Sequence, residues 1–296
     1  MTEIYLGFMI FQDGQRTLKA EGDAITEDFL TKIEEKTGRI REFLYFSNPY
    51  STVMGNFTDL VNTIDDFESN YGNSGDYRDC IVHQENINRH LVNTLNSFYV
   101  YAERYDRKFK NSDELKKNPS DKRITSKYYD EYFEYRFFYG LRNFAIHAED
   151  PIGKIQSTID NKQWHLVINK EHLLTSNKWG SVLKKEIENL NGDIANVKML
   201  IMKAILRFCE MHREIVSPLI NEMVEIAKFC ISLSKTNDKG EINFPLIVFL
   251  TTDEHGSQKI DVRDIISNNI LALEMAMSHI NVDLLTGEDF DNEVNQ

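Results

Sequence analysis

The chain has 296 residues, 41% of them hydrophobic, and 47 Asp and Glu against 34 Lys and Arg, a formal net charge of −13. That length and apolar content are enough to bury a sizeable core in one large domain or two ordinary ones, which excludes a natively unfolded chain. The charge argues against indiscriminate binding to nucleic acid, whose phosphate contacts come largely from clustered Lys and Arg, and the absence of a run of about 18 apolar residues excludes a membrane span.

The apolar stretch 4–11 has no Lys or Arg before it, so it is expected to be a short strand ended by Asp13-Gly14 rather than a signal peptide, and the chain is expected to be cytoplasmic. After Thr26 the apolar positions Phe29, Leu30, Ile33, Ile40, Phe43 and Leu44 recur at roughly helical spacing, which predicts a helix running to a break at Asn48-Pro49. A second short helix is expected over 58–71. The cluster Gly72-Asn73-Ser74-Gly75 marks the expected end of an N-terminal, mostly helical extension covering 1–75.

From 83 to 109 the set Ile87, Leu91, Leu95, Phe98 and Ala102 falls on one stripe of a long helix that needs partners. Residues 110–123 contain Pro119 and many charges and read as a loop, after which 128–146 resumes helical spacing with many aromatics. Pro151 restricts Asp150 away from helical angles, so this helix is expected to end near His147 or Ala148. Beyond it, Asp160-Asn161, Trp164 and the run Leu166-Val167-Ile168 suggest a small hairpin within 158–174. Helices are then expected over 182–190, 194–216 and 219–233, with Pro218 breaking or kinking the last pair. A buried strand over 242–251, a helix over 261–280 and an acidic tail from 287 complete the reading. The expected divisions are 1–75, 76–235 and 236–296, in a mainly α fold.

Cys80, Cys209 and Cys230 are not closely spaced, no Cys-x-x-Cys or His-x-x-x-His occurs, and neither a disulfide framework nor a metal site is expected. His83 and His90 lie seven apart on one helical face without a third ligand nearby, and Asp253-Glu254-His255-Gly256 reads as a polar turn rather than a metal loop.

The chemistry concentrates at Leu141-Arg142-Asn143-Phe144-Ala145-Ile146-His147. Arginine keeps its proton and offers a planar fork of donors to phosphate oxygens, while histidine exchanges a proton near neutral pH. The spacing by itself is weak, since 13 arginines and 8 histidines in 296 residues predict roughly one match by chance. Three occur. Arg207 to His212 lies inside a long helical pattern with Phe208 after the arginine, and Arg78 to His83 opens a helical pattern after a Gly-rich loop; both are the weaker copies.

With Arg142 followed by a polar Asn143, His147 near the end of an aromatic helix, and a long helix and basic connector upstream, the chain resembles the HEPN family of helical ribonucleases over about half its length. The resemblance implies a HEPN-like helical bundle over 76–235 with the small inserted hairpin, a homodimer whose two motifs meet across a two-fold axis, and metal-independent cleavage of RNA by its own 2′-hydroxyl with no cofactor. His147 would act as general base or acid and Arg142 would stabilise charge on the phosphorane; Asn143 would either hydrogen-bond the phosphate or fix the His147 tautomer. It further implies a role in defence or as a toxin, with an antitoxin or regulatory protein as a possible partner. On a regular helix residues five apart differ by about 140° in direction, so Arg142 and His147 do not share a face, and an ending helix or a second subunit has to bring them together.

Residues 104–128 hold nine basic and four acidic side chains. Lys108, Lys110, Lys116, Lys117, Lys122 and Arg123 are the expected RNA-backbone contacts, with Arg136, six residues before Arg142, as a further one; the plainer alternative is a solvated connector. For the motif itself the plainer alternative is capping of the helix end, with Glu149 or Asp150 as carboxylate partner of the cations. A catalytically silent HEPN-like scaffold that binds a protein or RNA partner is the second functional reading.

Overall fold

A computed structural model describes residues 2–12, 15–71, 77–111, 123–157, 164–176, 179–236 and 242–278. The fold is mainly α with antiparallel strands, as the periodicity predicts. Among the described residues no helix is long and apolar enough to cross a membrane. The turn at 13–14, the glycine cluster at 72–75, the connector at 112–122, the hairpin tip and the acidic tail lie outside the described residues.

The chain divides into two units, Met1–Asn48 with Val216–Gln296, and Pro49–Ile215. This differs from the expected divisions at 75 and 235. The reason is strand pairing across the whole length of the sequence: β1 (Thr2–Gln12) pairs with β2 (Gln15–Glu21) and with β7 (Leu246–Thr252), and β7 pairs with β8 (Gln258–Arg263), giving the antiparallel order β2-β1-β7-β8. Segments far apart in the sequence therefore share one sheet, with Ile4 opposite Phe249 and Gly7 opposite Leu246. Gly7 is required there because a Cβ would meet Val248 Cγ2 at 2.6 Å. Residues 261–263 were expected to be helical but belong to β8, where pairing with β7 outweighs local preference. The sequence Asp253 to Gly256 forms the β7–β8 turn: Asp253 Oδ1 accepts from the backbone of His255 and Ser257, and Gly256 takes φ +79°. The same unit holds α8 (Ser267–Ser278), whose Ile270, Leu273 and Ala276 are buried. Here Arg39, on the first half of α1 (Glu27–Asp66), binds both carboxylate oxygens of Glu222 at 2.7 and 2.8 Å, and Glu222 lies on the second half of α7 (Val197–Ser232).

Neither proline ends its helix. α1 continues through Pro49 and is followed by a π-helical turn, Phe67–Tyr71, and α7 continues through Pro218. A proline inside a helix removes one hydrogen bond and crowds the preceding turn. Near Pro49 the buried Phe46, Tyr50 and Val53, and near Pro218 the buried Ile215, Val216 and Met223, bury enough apolar surface to offset that cost.

In the unit Pro49–Ile215 the central helix is α2 (Tyr77–Asn111), and the predicted stripe is its core face: Ile87, Leu91, Leu95, Phe98 and Ala102 are all buried. Phe98 meets Tyr135 and Phe138 of α4 (Phe133–His147) and Phe208 of α7, with ring centroids 4.9 to 5.6 Å apart. The helix expected over 128–146 is two helices. α3 (Ile124–Glu131) ends, Tyr132 is extended at φ −114° and ψ 119°, and α4 begins. Arg136 accounts for the break, because its Nη1 donates to the freed carbonyls of Tyr129 and Asp130 at the end of α3.

α4 packs on α6 (Ser181–Glu188) so closely that a Cβ on Gly140 would lie 2.5 Å from Leu183 Cδ2. Phe137 and Phe144 stack on Trp179. The hairpin consists of β3 (Lys154–Ser157) and β4 (Trp164–Val167), followed by the short α5 (Lys170–Leu174). Two short strands, β5 (Lys235–Thr236) and β6 (Ile242–Asn243), pair in the other unit.

Candidate active site on the last turns of α4

α4 ends at His147, and Ala148, at φ −125° and ψ −87°, donates its N–H to the Phe144 carbonyl. Arg142 and His147 leave this helix in different directions. The Arg142 guanidinium points along α2: Cζ lies 4.2 Å from the centroid of the Tyr99 ring, Nε donates to Asn96 Oδ1 at 3.4 Å, and Nη1 donates to Asn143 Oδ1 at 3.1 Å. The side chain is half-buried, and the ring and two amide oxygens hold the guanidinium in one orientation. Asn143 thereby has a third role beyond the two implied by the resemblance, as an orienting group for Arg142.

His147 is exposed and, among the described residues, makes no hydrogen bond or ion pair. The carboxylates that follow it are directed elsewhere. Glu149 Oε2 lies 3.4 Å from His172 Nδ1, and the other ring nitrogen of His172 lies 3.4 Å from the Asp150 carbonyl, with the ring edge-on to Phe144. Neither Glu149 nor Asp150 pairs with Arg142 or His147, as the capping alternative would require. The segment leaving the site is clamped by Asn88 of α2, whose side-chain amide accepts from Ile152 N–H and donates to Ile152 C=O, both at 3.0 Å, with Gln84 adding a second donor to that carbonyl. Asn88 is buried, and the pair of bonds imitates a strand pairing.

Asn88, Asn96, Tyr99 and His172 were not among the residues singled out from the sequence. Asn96 and Tyr99 are three apart on α2, a helical pairing that would signal a shared face only once α2 and α4 were known to be neighbours.

The expected RNA contacts have separate fates. Arg136 is a correction: its side chain is 7% exposed, Nε and Nη2 bind the Glu186 carboxylate, and Nη1 binds backbone carbonyls, so its donors are used inside the fold. Arg123 pairs with Asp106 at 3.3 Å at the start of α3, and Lys108 is half-buried on α2. The side chains of Lys110, Lys116, Lys117 and Lys122 lie outside the described residues.

The two weaker copies of the motif have different settings. His212 is buried, with Nδ1 2.6 Å from the Tyr101 hydroxyl and its ring stacked 3.9 Å from Tyr50, while Arg207 is held by Glu210 and the Tyr132 ring. His212 is thereby withdrawn from solvent, and Arg207 is committed to a neighbouring carboxylate. His83 lies 6.4 Å from Phe67 between ring centroids, near the start of α2. Among the described residues no group of three or more His, Cys, Asp or Glu is placed to hold a metal ion.

Compared with known proteins, the chain matches no family model, no curated protein and no solved structure.

Proposed function

We propose that the chain is a metal-independent endoribonuclease of HEPN type, acting through Arg142 and His147. The observation that carries this reading is the contrast between the two side chains: a half-buried cation fixed by Tyr99, Asn96 and Asn143, and beyond it on the same helix an exposed imidazole not held by a carboxylate. A fixed guanidinium suits a phosphate whose charge grows in the transition state, and an accessible imidazole suits proton transfer, typically worth about 10² to 10⁴-fold in rate.

In this account the 2′-hydroxyl of RNA attacks its adjacent phosphate as an imidazole removes its proton. Arg142 neutralises the phosphorane, and a second imidazole protonates the departing 5′-oxygen, leaving a 2′,3′-cyclic phosphate and a 5′-hydroxyl. One copy of His147 serves one of these steps, and the homodimer implied by the family resemblance supplies the other. A cytoplasmic role in defence or as a toxin, under control of an antitoxin or regulatory protein, follows by analogy with the family it resembles.

The second reading is a silent HEPN-like scaffold binding a protein or RNA. What favours it is the occupancy of Arg142, three of whose surroundings are protein groups. Purified protein incubated with mixed-sequence RNA in excess EDTA separates the two. The nuclease cleaves, and loses cleavage as Arg142→Ala and as His147→Ala; the scaffold leaves RNA intact in all three forms.

A further inference from the structure

The sheet that joins β1 and β7 ends in an open edge at β8. In the order β2-β1-β7-β8 this strand pairs with β7 on one side and, among the described residues, with no strand on the other. All six of its residues are exposed, and its register with β7 runs without a bulge. An edge of this kind presents free backbone donors and acceptors to another strand, and folded proteins usually bend, cover or charge it to prevent pairing.

The side chains of β8 alternate between two characters. Lys259, Asp261 and Arg263 share one face of the sheet; Gln258, Ile260 and Val262 share the other, where Ile260 and Val262 are 60% and 41% exposed and lie opposite Leu250 and Val248 of β7. Arg263 Nε lies 3.4 Å from Asp261 Oδ2, yet the Asp261 side chain stays 57% exposed. The bond from the Asp253 N–H to the Ser257 carbonyl sets the phase of the ladder. Antiparallel alternation then turns the backbone groups of Lys259, Asp261 and Arg263 toward β7 and those of Gln258, Ile260 and Val262 outward.

We propose that β8 pairs antiparallel with β8 of a second copy of this chain, about a two-fold axis at Ile260. Charge selects the partner and the register together. With the axis at Ile260, outward-facing Ile260 meets its own copy, Gln258 meets Val262, and Lys259 meets Asp261 on both sides of the axis. The Lys259 and Asp261 pairs fall at the positions without backbone bonds, where opposed side chains come closest. Moving the axis one residue, to Lys259 or to Asp261, sets that charge against its own copy, and moving it two residues pairs less of the strand. On the opposite face the apolar row of Leu250 and Ile260 continues across the axis into the second copy. Single-sign charge would block an edge; alternating charge about an apolar centre is its own complement. The interface is independent of the nuclease reading, since β8 belongs to the unit that holds neither Arg142 nor His147.

Sedimentation equilibrium of the full chain up to about 100 μM tests this. Wild type is expected to associate, and Lys259→Glu and Asp261→Lys, each of which opposes like charges at both pairs, are each expected to weaken association about tenfold or more. An equimolar mixture of the two variants is expected to recover the wild-type affinity, because every reversed charge then faces an opposite one. A merely destabilised strand would not recover on mixing. A dimer through the motif helices would survive these substitutions, so only a step of assembly that the variants move counts for β8. A wild-type chain that stays monomeric overturns the proposal, as do association unchanged in both variants and variants that each associate weakly but do not recover when mixed.

Discussion

The guanidinium of Arg142 lies 4.2 Å over the ring of Tyr99, three residues along α2 from Asn96, which takes its Nε. One helix thus sets the direction of the charge that another helix carries. A cation–aromatic contact of this kind contributes about 0.5 to 2 kcal/mol, enough to select a rotamer. Tyr99→Ala is expected to lower RNA cleavage about tenfold, whereas Tyr99→Phe, which keeps the ring, is expected to hold cleavage within about twofold. Rate measurements at saturating RNA check this, and equal losses in both variants would remove the aromatic face from the account.

Asn88 closes both backbone bonds of Ile152, a residue that is itself fully buried. In Asn88→Ala the carbonyl keeps Gln84, but the Ile152 N–H loses its acceptor. A buried donor left unmade costs about 1 to 3 kcal/mol. Urea unfolding is expected to show that loss in the midpoint with little change in slope.

Arg136 is almost enclosed and Glu186 is about one-third exposed. Removing one partner of a buried pair usually costs about 3 to 5 kcal/mol, and partial solvent access to Glu186 places Glu186→Ala at about 2 to 4. The double variant Arg136→Met, Glu186→Leu is expected to recover most of this in the same unfolding experiment, because no charge is then stranded. A double variant less stable than Glu186→Ala alone would show that the carbonyl bonds to Tyr129 and Asp130, not the ion pair, dominate.

Hydrogen bonding to Arg39 lowers the Glu222 carboxyl below the ordinary glutamate range, outweighing the opposing effect of burial, and the charges of Arg39 and Lys36 add to the lowering. A group whose pKa is lower when folded contributes stability that is complete above its unfolded value and is lost as pH falls through the folded one. The difference in melting temperature between wild type and Glu222→Gln is therefore expected to be constant from neutral pH down to about pH 5 and to shrink below the ordinary glutamate value of about 4.3. A difference that persists undiminished well below that value would contradict the pairing.

The helical periodicity made the core face of α2 legible residue by residue, because a stripe at i, i+4 and i+8 has one physical meaning when the helix is long. Pairings between distant segments were not legible. Nothing local in 2–12 or 246–252 specifies the other as a partner, so neither their pairing nor the division into units that follows from it is legible. The expected stop at Pro49 does not occur, and of the break or kink expected at Pro218 the break does not, since local propensity yields to burial.

At the candidate site, Arg142, Asn143 and His147 stood out through residue chemistry and the effect of Pro151 on the helix end. Their supports on α2 depend on how two helices align, which spacing within either one does not encode. Arg136 was misassigned for the same reason: six residues from Arg142 in sequence, it faces Glu186 on α6.

The central claim is that Arg142 and His147 drive attack by the RNA 2′-hydroxyl, and the ends of the products test it most directly. RNA cleaved by purified wild-type protein in excess EDTA is predicted to carry 2′,3′-cyclic phosphate and 5′-hydroxyl ends, with such products absent for Arg142→Ala and His147→Ala. Products bearing 3′-hydroxyl and 5′-phosphate ends, or cyclic-phosphate products formed equally well by His147→Ala, would contradict it.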